Sequence, residues 1–95
     1  MSDLEDLAAL AIESGFAIHR DLGPGLLESC YEVLLSATLA RAGLAVERQK
    51  VVDIEYRGIS VRDAFRADLI VEGRLIIEIK AVERLAAVHS RQVLT

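Results

Sequence analysis

The stretch Phe65-Arg66-Ala67-Asp68-Leu69-Ile70-Val71-Glu72-Gly73-Arg74-Leu75-Ile76-Ile77-Glu78-Ile79-Lys80 constrains this chain more than any other. Two apolar runs flank a short polar segment, which reads as two strands and a tight turn. Each run also carries charge in its interior, and charge there is costly unless it is paired, hydrated or bound to a metal. Side chains alternate faces along a strand, so Glu78 and Lys80 share a face with Ile76, while Leu75, Ile77 and Ile79 take the other. On the first strand Arg66, Asp68 and Ile70 share one face, and Ala67, Leu69 and Val71 the other. A two-residue loop, Glu72-Gly73, would set Asp68 against Ile77 and mix charge with core on both faces. A three-residue loop, Glu72-Gly73-Arg74, pairs Val71 with Leu75, Leu69 with Ile77 and Asp68 with Glu78. One face is then fully apolar, and Asp68, Glu78 and Lys80 gather on the other. A slip of one residue destroys this sorting, so the pattern itself selects the register.

Two carboxylates opposite one another repel. A proton, a cationic side chain or a metal ion must offset that, and oxygen ligands of this kind suit Mg²⁺ or Mn²⁺. Lys80 could then orient or activate a water, or stabilise developing negative charge. Taken alone, the pattern reads first as a surface hairpin with a solvated salt-bridge cluster.

A chain of 95 residues is read as a single domain, 1–95. No apolar run reaches the roughly 18–20 residues needed to span a bilayer. The acidic N-terminus (Asp3, Glu5, Asp6) is unlike a signal peptide, and the lone Cys30 fits a reducing, cytoplasmic setting. The net charge of −4 argues against broad electrostatic adhesion to nucleic acid, though not against a nuclease whose acids hold a cation.

Ser2 and Glu5 suggest a capping box, and Leu4, Leu7, Ala8, Ala11, Ile12, Gly15 and Ile18 recur at helical spacing, which predicts a helix over about 3–20. Gly23-Pro24-Gly25 breaks it, and a second helix is expected over about 26–42, ended by Gly43. Glu28 stands in its first turn, where the helix dipole favours an acid, and Glu32 follows one turn later. A strand is expected over 44–56, a turn at Arg57-Gly58, and extended chain from Ile59 into the central hairpin. Leu85, Val88, Gln92 and Val93 suggest a closing helix over 82–95. The order is α-α-β-β-β-α, an α/β (α+β) chain.

The segment containing Gly25, Glu28 and Tyr31, followed by Arg66-Ala67-Asp68-Leu69 and Glu78-Ile79-Lys80, resembles the small bacterial GxxExxY proteins, themselves similar to the PD-(D/E)XK nuclease superfamily. That resemblance implies a restriction-endonuclease-like mixed sheet flanked by helices. It implies a Mg²⁺-dependent nuclease acting on DNA or RNA, in which Asp68, Glu78 and the helix-borne Glu28 hold the ion, the Ile79 backbone carbonyl adds a ligand and Lys80 positions the attacking water. Gln92 and His89 fall where relatives place residues of the following helix; His19 and Tyr31 are weaker candidates, Tyr31 more as a packing residue than as a catalytic phenol. Similar proteins continue with more helix and at least one further strand, so the chain reads as truncated at its C-terminus. A missing strand would leave an open sheet edge and invite a homodimer. The alternatives are a non-catalytic nuclease-like module binding a protein or nucleic acid, and a structural homo-oligomer.

Overall fold

The computed structural model describes residues 3–81 and 86–92, with side chains described for 3–80. Helix α1 spans Leu4–Leu22 and α2 spans Glu28–Arg41; strands β1 (Val46–Tyr56), β2 (Ile59–Val71), β3 (Leu75–Ala81) and β4 (Ala86–Gln92) follow. The strands form one sheet in the order β1-β2-β3-β4, a meander in which every pair is antiparallel.

Helix α1 starts at Asp3, whose carboxylate accepts a hydrogen bond from the Asp6 amide at 3.0 Å. Of the expected Ser2–Glu5 box, Ser2 lies outside the described residues. The helix ends at Gly23, whose amide returns to the His19 carbonyl at 2.8 Å with φ at 77°, a left-handed conformation that glycine adopts without steric cost. Leu7 and Ala11 of α1 and Tyr31, Leu35 and Leu39 of α2 are buried against Leu69, Val71, Leu75, Ile77 and Ile79 of the sheet. Both helices therefore cover one face. On the other, Ala67, Ile70 and Ile76 form a smaller cluster against which Val52 and Phe65 pack.

The central hairpin has the register that charge sorting selects: Val71 pairs with Leu75 and Leu69 with Ile77. Its turn places Glu72 and Gly73 at φ 56° and 63°, with the Arg74 amide donating to the Val71 carbonyl at 3.0 Å. Glu72 also fixes the start of β1. Its amide donates to the Ala45 carbonyl at 2.7 Å, and its Oε2 accepts from the Ala45 amide at 2.6 Å.

Strands β1 and β2 form a longer ribbon. At about 3.3 Å per residue, the 13 residues of β2 nearly equal the molecule's longest dimension of 46 Å. A bulge between Val52 and Ile54 shifts its register, and there Asp53 Oδ1 accepts from the Asp63 amide at 2.7 Å.

The α+β class stands, and the arrangement is consistent with a restriction-endonuclease-like fold. Two details differ from expectation. The sheet is antiparallel throughout rather than mixed. Residues 86–92 are extended rather than helical, paired from Ala81↔Ala86 to Leu75↔Gln92. Short apolar segments fit either period, and an unpaired β3 edge would leave a row of backbone groups unmatched, which strand pairing resolves. The rest of the expected helix, 82–85 and 93–95, lies outside the described residues. With β4 paired to β3, the outer strands among the described residues are β1 and β4.

Candidate active site

The hairpin ladder stops at Leu69↔Ile77, and the next residue on β2 is Asp68. Its carboxylate enters the gap between the strands: Oδ2 accepts a hydrogen bond from the Ile79 amide at 2.8 Å. A side chain here substitutes for a backbone acceptor. The exchange fixes Asp68 against β3 at the residue between Glu78 and Lys80, and the chemistry-bearing acid and the acid-x-lysine are joined by one hydrogen bond.

On β3, Ile77 and Ile79 are buried beneath the helices, so alternation assigns Glu78 and Lys80 to the opposite face with Ile76. Glu78 is half-buried and Lys80 exposed. Backbone register sets Glu78 against His89 and Lys80 against Ala87; Gln92 pairs with Leu75. The side chains of His89 and Gln92 lie outside the described ones.

The helix acid that comes to this region is Glu32. It is buried, and it accepts from Arg48 Nε at 3.0 Å and from Gln49 Nε2 at 2.5 Å. The Gln49 amide also donates to Asp68 Oδ1 at 3.3 Å. Glu32, Gln49 and Asp68 thus form a continuous chain from α2 through β1 to β2. Glu28, one turn earlier, is exposed in the first turn of α2. Glu32 and Gln49 were not among the candidates read from sequence. Glu32 had been visible as an acid one turn from Glu28, whereas nothing in the identity of Gln49 marked it.

Tyr31 and His19 serve the scaffold behind this site. The buried Tyr31 hydroxyl donates to the Gly23 carbonyl at 3.2 Å. Its single hydrogen is spent there, so His19 Nδ1, also at 3.2 Å, is the donor to the hydroxyl oxygen. One phenol therefore ties together the end of α1, the Gly-Pro-Gly turn and α2.

The strand donors are oxygen atoms, the type that hard divalent cations take. Asp68 accepts two hydrogen bonds and, with about four lone-pair sites on a carboxylate, retains capacity for a ligand bond. Among the described residues no group of three or more His, Cys, Asp or Glu side chains converges as a metal cluster. A partial set of one or two carboxylates still fits Mg²⁺, which keeps several waters and commonly shares substrate phosphates. No helix among the described residues is long and apolar enough to cross a membrane.

No curated protein and no solved structure matches the chain. A family model described as the PD-(D/E)XK nuclease superfamily matches residues 5–95, which includes α2, the Asp68 strand and the Glu78-x-Lys80 strand. The chain belongs to the PD-(D/E)XK nuclease superfamily.

Proposed function

We propose that this protein hydrolyses phosphodiester bonds in DNA or RNA with the help of Mg²⁺ or Mn²⁺. The observation that carries the reading is the Asp68 carboxylate held on the Ile79 amide, between Glu78 and Lys80. Asp68 and Glu78 would hold the cation, with the Ile79 carbonyl as a further oxygen donor. A divalent ion so bound polarises a phosphoryl oxygen and lowers the pKa of its water. The Lys80 ammonium orients the attacking water or stabilises charge developing on the phosphate. Glu28 keeps the helix-acid role that the resemblance implies, and Glu32 is linked to Asp68 through Gln49.

The test is cleavage of DNA and RNA substrates by the purified chain, alongside calorimetry with Mn²⁺. Lys80→Ala is expected to lower cleavage by about 10²–10³-fold, the range for losing one preorganised charge-stabilising group. Its melting transition should be unchanged, because the side chain is exposed. Absence of both metal binding and cleavage in the wild-type chain would end the nuclease reading. The net charge of −4 favours one alternative, a nuclease-like module that binds a protein or nucleic acid without cutting it.

A further inference from the structure

Gln49 combines two features rarely found together in the middle of a strand. Its φ is 49°, a left-handed value for a residue that has a side chain. Yet no residue is inserted there: Arg48 pairs with Leu69 and Lys50 with Ala67, in unbroken register. The conformation is not explained by a bulge. Backbone strain of this kind persists only where surrounding contacts hold it.

Its consequence is visible in the side chains. Alternation would send Arg48 and Gln49 to opposite faces of the sheet. Instead both reach the buried Glu32, Arg48 at Oε2 and Gln49 at Oε1. The same Gln49 nitrogen donates to Asp68. An amide NH₂ has two hydrogens, and here each has a carboxylate to meet. Both partners are acceptors, so the donor end of the amide must face them. Gln49 is a neutral double donor set between two like charges carried by different elements.

From this geometry we infer that Gln49 is a positioning residue for the cation site, holding Glu32 and Asp68 at a fixed separation so that Asp68 is presented beside Glu78. This rests on the nuclease reading above. Arg48 is the natural comparison, since it bonds Glu32 whereas the donor to Asp68 Oδ1 is Gln49.

The test compares the full chain with Gln49→Ala, Gln49→Glu and Arg48→Ala, using Mn²⁺ calorimetry and thermal melts with and without Mn²⁺. Gln49→Ala should weaken Mn²⁺ binding about tenfold, whereas Arg48→Ala should change it less than threefold. Gln49→Glu replaces the double donor with a third carboxylate. Repulsion should lower its metal-free melting temperature, and Mn²⁺ should then raise that temperature by more than it does in wild type. If wild type binds Mn²⁺ and Gln49→Ala binds it equally, the positioning role is overturned while the nuclease reading stands. If wild type binds no Mn²⁺, the positioning role falls, and the nuclease reading falls with it when cleavage is absent as well. Should Gln49→Ala fail to melt cooperatively, Gln49→Glu decides: a Mn²⁺-induced shift no larger than that of wild type overturns the role.

Discussion

The hairpin joining β1 to β2 has a two-residue loop and the one joining β2 to β3 a three-residue loop, yet each carries two successive residues at positive φ. Arg57 and Gly58 stand at φ 47° and 82°, Glu72 and Gly73 at 56° and 63°. Beyond the turns the two hairpins diverge. Around the second, Leu69 and Ile77 are fully buried against the helices. Around the first, Tyr56 and Ile59 face each other across the strands and are each 61% exposed. Turns at positive φ close both hairpins but do not decide burial. What decides it is whether an amphipathic helix lies over the strands, and α1 and α2 cover only the proximal sheet. The candidate site lies where the covered hairpin begins to open, at Asp68.

The largest effect expected from this contrast is in the core. Ile77→Ala should cost about 2–5 kcal/mol, since it removes buried methylenes and leaves a cavity among residues unable to collapse fully. Ile59→Ala, beside the distal turn, should stay within about 0.5 kcal/mol. Urea denaturation of both variants measures the difference. Equal losses would show that the ribbon tip is packed as firmly as the core.

The second contrast concerns how each turn is tied to its surroundings. Glu72 clamps Ala45 through both its amide and its carboxylate. Arg57 instead lies over the Tyr56 ring, 5.3 Å from its centroid, a contact within its own turn. Glu72→Ala should lower global stability by about 1–2 kcal/mol through loss of a charge-assisted hydrogen bond. Arg57→Ala should lower it by less than about 0.5 kcal/mol, because an exposed cation–π contact contributes little. A chemical-denaturation midpoint that moves equally for the two would erase the distinction.

These contrasts also explain what could be read from sequence. The central register was legible because apolar and charged residues sort onto two faces in only one alignment of Val71 with Leu75. The class was legible from Leu4, Leu7 and Ala11 at helical spacing and from the β-branched runs that follow. Strand β4 was not, because Ala86-Ala87-Val88 carries no period that separates helix from strand, and pairing to β3 decided it. The link from Glu32 to Asp68 was not legible because it runs through Gln49, a contact that only the folded chain makes. Gln49 itself was invisible. Left-handed backbone is signalled in sequence by Gly, Asn or Asp, whereas a glutamine held there by two carboxylates is a product of tertiary contacts alone.

The smallest expected effect tests whether the two turns, each with a glycine at positive φ, are alike in energetic reach. A Cβ added at Gly58 or at Gly73 would meet no atom within 4 Å, so an alanine at either is opposed only by its own backbone preference. That preference is about 1–2 kcal/mol against a left-handed conformation, the same at both sites. At Gly73 the strain falls on a turn whose strands hold core residues, so it should appear in full as reduced global stability. At Gly58 it falls on a ribbon end whose side chains are largely exposed. Such an end can open without unfolding the sheet. Gly58→Ala should therefore leave the melting transition nearly unmoved while speeding hydrogen exchange of the amides near Tyr56 and Ile59. If Gly58→Ala lowers global stability as much as Gly73→Ala, the ribbon and the covered hairpin unfold as one unit, and exposure at the tip is a poor guide to its stability.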